Sequence, residues 1–221
     1  MIRLENVAKR YPTIRGTHTV LRNATLSMKR GEKVGILGRN GSGKSTLVRL
    51  IAGAERASSG LIERRMSVSW PLAFGGGFHG RLTGLDNVRF ICRVYGTDVT
   101  KVLDFVEDFS ELGKFLKEPV ETYSAGMTAR LAFALSMAIE FDCFLIDEVI
   151  AVGDARFHDK CRYELFERRQ DRAMVIVSHE IHNIRDHCER ACVLHEGVLH
   201  SFPDVDSAYR FYNNATRGVT A

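Results

Sequence analysis

Apolar positions recur along this chain with two periods, and each change of period marks a change of element. "IRLENVAKRY" and "HTVLRNATLSM" alternate apolar and polar residues as strands do, with turn material around Pro12 and Gly16 between them. An antiparallel β unit is expected there. "KVGIL" is a short apolar strand that leads straight into "GRNGSGKS", after which the apolar spacing of "TLVRLIAG" is helical. From about residue 85 to 140 the pattern stays helical through "LDNVRFICRVY", "VTKVLDFVEDFSELGKFL" and "SAGMTARLAFALSMAIEF", with breakers at Gly96 and Pro119. "CFLIDE", "AMVIVSHE" and "ACVLHEG" then bring back short β-rich runs separated by helical stretches, the pattern of a parallel sheet with crossover helices. The last dozen residues, "NATRGVTA" included, read as a loose tail.

Composition narrows the class without naming a function. At 221 residues and 45% hydrophobic content the chain is long enough to bury one substantial α/β core. Thirty-one basic and 27 acidic residues give a net charge of +4, too balanced to demand nucleic acid or a membrane surface as partner. The longest run without a charged residue, 66 to 80, carries Pro71 and four glycines, so no transmembrane helix is expected. Five cysteines without a C-x-x-C pair point to reduced thiols. His182, His187, Cys188, Cys192 and His195 crowd one stretch, but their spacing matches no common zinc finger.

The candidate chemistry begins at residues 38 to 45, "GRNGSGKS", which match G-x-x-x-x-G-K-[ST] between a strand and a helix. Gly38, Asn40, Gly41, Ser42 and Gly43 would let backbone N–H groups wrap a polyphosphate, while Lys44 supplies a point charge to its outer phosphates. Ser45 offers a hydroxyl to Mg²⁺, and Thr46 starts a helix whose positive end faces the anion. "CFLIDE" ends a strand in two acids: Asp147 is expected to orient Mg²⁺ and Glu148 to polarise the attacking water. His179 follows another strand end, 32 residues after Asp147, and is expected to contact the γ-phosphate. The residues so placed are expected to bind a nucleoside triphosphate with Mg²⁺ and to hydrolyse it.

"YSAGM", residues 123 to 127, opens a helical run with Ser124 as its N-cap, and Ala125 and Gly126 leave the backbone N–H groups approachable. This is a second anion site. If it projects from a separate helical subdomain it serves a second copy of the chain, across a shared nucleotide.

With these motifs in place the sequence resembles the ABC ATPase family over nearly its whole length. "GRNGSGKS" stands as Walker A, "CFLIDE" as Walker B, "YSAGM" as the signature, Asp154 in "AVGD" as the D-loop acid, His179 as the switch histidine and Tyr11 as the aromatic that stacks on adenine. The resemblance implies an α/β fold with a P-loop NTPase (RecA-like) parallel core, an N-terminal antiparallel β subdomain and an inserted α-helical subdomain. Boundaries are expected at about 1–30 for the antiparallel part, 31–81 and 141–205 for the core, 82–140 for the helices and 206–221 for the tail. The chain departs from the family in lacking a glutamine in "AFGGGFHG", where His79 is the nearest polar substitute. It departs again with Ala125 and Met127 in the signature and Gly153 before Asp154.

Within the family, "GGGFHGRLTGLDN", "TYSAGMTARLAFALSMA" and "DEVIAVGDARFHDKC" are similar to polysaccharide exporters, above all those of capsular polysaccharide. That resemblance implies a homodimer on the cytoplasmic face of the bacterial inner membrane, bound to a polytopic permease and working with periplasmic export partners. Neither nucleic acid nor a carbohydrate-binding domain of its own is expected. O-antigen and teichoic acid exporters form the neighbouring reading, and soluble ABC ATPases of translation or DNA repair a reading of another class.

Overall fold

Strands β1 (Ile2–Thr13) and β2 (Gly16–Met28) pair antiparallel, and both are longer than their alternation suggests. β1 runs through Pro12, which pairs with Thr17. It can do so because β4 (Ser59–Arg64) covers the other side of β1 only from Ile2 to Ala8, so the missing N–H of Pro12 costs no ladder bond there. The resulting three-stranded sheet has the order β2-β1-β4. The computed structural model describes residues 1–14, 16–72, 77–147, 154–178 and 181–217. Two compact units divide the chain: Met1–Pro71, Phe141–Glu148 and Asp171–Ala221 form the first, Leu72–Glu140 and Val149–Gln170 the second.

The first unit also holds a six-stranded sheet made of β3 (Lys33–Leu37), β5 (Val68–Pro71), β6 (Cys143–Asp147), β7 (Ala173–Ser178), β8 (Arg190–His195) and β9 (Val198–Phe202). Its order is β5-β6-β7-β3-β8-β9, parallel throughout except for β9, which returns antiparallel to β8. β7 is buried along its whole length and β3 over all but Lys33, as strands covered on both faces must be, and their sequences are near-continuous apolar runs. Helix α1 (Lys44–Ala52) buries Leu47, Val48, Leu50 and Ile51 in the core that joins the two sheets. Arg64 of β4 donates Nε to Ile51 O at 2.8 Å and Nη2 to Leu50 O, so the antiparallel sheet caps the last turn of α1.

Helices α6 (Ile181–Arg185) and α7 (Val205–Arg217) complete this unit. The helix α7 stands where a loose tail was expected. Its Val205 and Ala208 are buried, and the Phe211 ring lies 4.7 Å from His200 and 5.2 Å from Phe202. The cause is a helical apolar spacing within "DVDSAYRFYNN" that its polar content disguises.

The second unit contains α2 (Gly84–Tyr95), α3 (Val99–Ser110), α4 (Ala125–Ala138) and α5 (Ala155–Arg162), the last continued by a π-helical turn over Tyr163–Glu167. Thr83, Asp98, Ser124 and Asp154 cap these four helices, each side chain accepting a backbone N–H of the first turn. The single helical pattern of "VTKVLDFVEDFSELGKFL" ends at Ser110: Glu111 takes a left-handed conformation (φ 56°), and Gly113–Lys117 continues as a 3-10 turn. A second 3-10 turn, Val120–Thr122, leads into α4. α4 buries every residue from Leu131 to Met137, so its C-terminal half is enclosed on all sides, while Ala125 and Gly126 at its start are exposed.

Candidate active site

The strand β3 delivers the chain to Gly38, and the loop closes on itself before α1 begins. Lys44, buried at the helix start, donates Nζ to Gly38 O at 2.8 Å and to Arg39 O at 3.2 Å, so its cation is held across the mouth of the loop. Gly43 sits at φ 104°, and a Cβ there would stand 2.7 Å from Val20 Cγ1 of β2. Both facts require glycine. Val20 thus packs the loop from behind, a contact that no motif announces because it lies 23 residues away. Ser42 Oγ is buried and has no hydrogen-bond partner among the described residues. An orphaned hydroxyl, a fixed ammonium and the uncapped N-terminal N–H groups of α1 together suit a polyphosphate. Ser45 is exposed on the first turn of α1 and Thr46 is buried beside it.

Asp147 ends β6 opposite Val177 of β7, and the next residue of β7, Ser178, pairs with Leu37 of β3. The parallel register therefore sets Asp147 and the root of the phosphate loop along one edge of the sheet, the carboxyl edge where open α/β sheets bind ligands. Ser45 and Asp147 are of the right chemistry for Mg²⁺, a hydroxyl and a carboxylate that leave most positions to phosphate oxygens and water. Glu148 and His179 follow directly from the ends of β6 and β7 and lie outside the described residues.

Tyr11 lies near the end of β1, half-buried. Lys9 Nζ stands 4.9 Å from the centre of its ring, and Arg49 Nη2 of α1 donates to its hydroxyl at 3.5 Å. Glu55 closes this cluster with Lys9 at 2.9 Å and Arg49 at 3.2 Å. Burial alone would raise the Glu55 carboxyl, but hydrogen bonds from Tyr11, Lys9 and Arg49 outweigh it and hold it at about 2. The ring is fixed by its polar end.

In the second unit the serine of "YSAGM" caps α4 as expected: Ser124 Oγ accepts Met127 N at 3.3 Å, and Ser124, Ala125 and Gly126 are all exposed. Tyr123 explains the aromatic before it. Its hydroxyl donates to Phe115 O at 2.5 Å and abuts Gly84, where any Cβ would collide with it. The signature is therefore anchored against the start of α2. Asp154 caps α5, its Oδ1 accepting Phe157 N at 2.9 Å, and its Oδ2 meets Arg130 of α4 at 2.8 Å. His79 is exposed, and buried Asn87 brackets its backbone, accepting His79 N at 2.8 Å and donating to His79 O at 3.2 Å.

The residues that sequence reasoning missed are Val20, Arg49, Asn87 and Arg130. Only Asn87 left a trace, as an amide on the apolar side of a helical pattern.

Residues 21–151 match the model described as ABC transporter. The chain belongs to that family. This ABC transporter chain is 59% identical over 214 residues to the "Capsule polysaccharide export ATP-binding protein CtrD" of Neisseria meningitidis serogroup B, covering 97% of this chain and 99% of that one. With the "ATP-binding protein BexA" of Haemophilus influenzae it shares 58% identity over 217 residues, 98% of this chain and 100% of the relative. The "Teichoic acids export ATP-binding protein TagH" of Bacillus anthracis is 36% identical over 200 residues, which are 89% of this chain but 36% of that protein. Among solved structures, the dimeric structure of a post-hydrolysis state of the ATP-binding cassette MJ0796 bound to ADP and Pi superposes with a TM-score of 0.76 over 92% of this chain and 98% of its own. At 23% identity that likeness concerns the fold, which is the ABC ATPase fold expected from the sequence.

Proposed function

We propose that the chain is the ATP-hydrolysing subunit of an ABC transporter that exports capsular, lipid-linked polysaccharide across the bacterial inner membrane. The observation that carries this reading is the identity of 59% and 58% with capsule-export and BexA-type ATP-binding proteins along essentially the full length of both. The teichoic acid export relatives are 34–36% identical, so they stand as the second reading. Among the described residues no helix is long and apolar enough to cross a membrane.

The chemistry follows from the residues. The loop from Gly38 to Thr46 and the Lys44 cation bind the triphosphate, and Tyr11 receives the adenine. Ser45 and Asp147 hold Mg²⁺, which neutralises charge on the outer phosphate oxygens when bound. Glu148 takes a proton from the attacking water, and His179 orients that water against the γ-phosphate. Ser124 and the exposed N–H groups beside Ala125 and Gly126 complete the site from a second copy, so that two chains close on two nucleotides and part after hydrolysis. Asp154 lies at the contact between copies. His79 stands where the family senses the permease, and the periplasmic partners receive the polymer.

Replacing the water-activating carboxylate tests this. Glu148→Gln is expected to bind ATP with wild-type affinity, to lose turnover by roughly a thousandfold and to run as a dimer by light scattering when ATP is present. Hydrolysis at the wild-type rate in that variant contradicts the role of Glu148. At the cellular level, deletion of the coding sequence is expected to leave polymer inside the cell and none on the surface. Unchanged surface capsule, or stimulation of the ATPase by ribosomes or DNA, overturns the transport reading.

A further inference from the structure

Three helices of the second unit meet at a chain of four charged groups that the reaction described above does not use. Arg130, on α4, sits at its centre with a side chain only 18% exposed. One arm of its guanidinium, Nη2, donates to Asp154 Oδ2 at 2.8 Å, and the other, Nη1, to Glu111 Oε2 at 3.4 Å. Glu111 Oε1 in turn accepts Lys160 Nζ of α5 at 3.1 Å, and the same ammonium donates to Phe109 O at 3.0 Å and Asp108 O at 3.3 Å, capping the end of α3. The charges rest on an aromatic floor. Arg130 lies 4.4 Å from the centre of the Phe157 ring and Lys160 4.7 Å from that of Phe109, while Phe109 packs on Phe133 at 5.9 Å and on Phe157 at 5.6 Å.

Two features show that the arrangement is constrained rather than incidental. Glu111 holds a left-handed backbone (φ 56°), a conformation that non-glycine residues rarely keep without compensation, and its carboxylate is the link between Arg130 and Lys160. Both oxygens of Asp154 are occupied, Oδ1 by the helix cap at Phe157 N and Oδ2 by Arg130, although the side chain is 66% exposed. An exposed carboxylate with both oxygens engaged has its direction fixed.

Arg130 lies six residues after Ser124, so the cap serine and the guanidinium ride on one helix about 9 Å apart along its axis. We propose that the chain Asp154–Arg130–Glu111–Lys160 is a strut that makes the signature serine and the D-loop acid a single rigid body, with Arg130 a positioning residue for the nucleotide bound by the partner copy. The inference rests on the proposed composite site. It adds that the surface presented to the partner is assembled within each chain before the two meet, so that closure sets Ser124 and Asp154 in place together.

A double-mutant cycle tests it. Asp154→Asn keeps a good helix cap but loses the ion pair, and Arg130→Gln removes the fork. If the two residues act as one device, each single variant loses about tenfold in kcat and the double variant loses about tenfold as well, while the affinity of the isolated chain for ATP stays at the wild-type value. Multiplying losses, near a hundredfold in the double variant, or wild-type kcat in Arg130→Gln, overturns the strut. If Arg130→Gln melts below the assay temperature, the cycle is run with Arg130→Lys, which keeps charge over the Phe157 ring and loses the two-armed grip; the same outcomes apply. A wild-type protein that turns over at full rate as a monomer refutes the composite site itself, whatever the cycle gives.

Discussion

At the scale of single residues, the phosphate loop owes its shape to two constraints acting at Gly43. The backbone there is left-handed and Val20 closes the space beside it. Gly43→Ala is therefore expected to cost about 1–3 kcal/mol in the loop's conformation. Measured by titration with ATP, affinity should fall at least about tenfold while the rest of the protein melts near its normal temperature. Glu55 offers a prediction in pH. Its carboxyl is held at about 2 against an ordinary value of 4.5, so its contribution to stability is complete above about pH 4.5 and disappears as the pH falls through 2. Glu55→Gln is expected to lose about 1 kcal/mol at neutral pH, in the range of partly exposed ion pairs, and the gap to wild type should close as the solution is acidified. Urea melts at several pH values check this. The places of Lys44 and Ser45 at a helix start, of Asp147 at a strand end and of Ser124 as a cap were legible from type and spacing alone. Val20, Arg49 and Arg130 were not, because each matters through a neighbour distant in sequence.

At the scale of elements, caps and periodicity explain what could be read and what could not. The four α-helices of the second unit begin at Thr83, Asp98, Ser124 and Asp154; the first three are short polar residues before apolar-periodic runs, whereas the polar run Ala155–Arg162 behind Asp154 gives no such signal. The pattern failed where a neighbour overrode it. α3 stops at Ser110 because Glu111 is drawn to Arg130 and Lys160, and β4 was missed because it is half exposed with no clean alternation. Thr83 shows how an element positions the site. Its hydroxyl accepts Asp86 N at 3.1 Å and bonds the Asp86 carboxylate at 2.7 Å, and the helix it starts carries Gly84, against which Tyr123 rests. Thr83→Ala is expected to lower stability by about 1 kcal/mol by calorimetry. Gly84→Ala should do more, since it displaces Tyr123 and with it the cap of α4.

For the whole molecule, the order of the sheet strands was not in the sequence, since β5-β6-β7-β3-β8-β9 is fixed by crossovers whose direction no local pattern records. What the sequence did carry was the separation of the phosphate loop and Asp147 from Ser124; Asp154, expected with the core at 141–205, falls instead with Ser124, so one unit bears the phosphate loop and Asp147 and the other bears Ser124 and Asp154. The central claim is that a working site needs the first from one copy and the second from another. Mixing two dead variants tests it most directly. Lys44→Ala spoils the phosphate loop and Ser124→Arg blocks the signature, and each alone is expected to hydrolyse ATP at less than about one per cent of the wild-type rate. Combined in equal amounts they form mixed dimers with one intact site, so activity should reappear and rise with protein concentration. A mixture as inactive as its parts, or a Ser124→Arg protein that hydrolyses ATP at the wild-type rate by itself, would contradict the account.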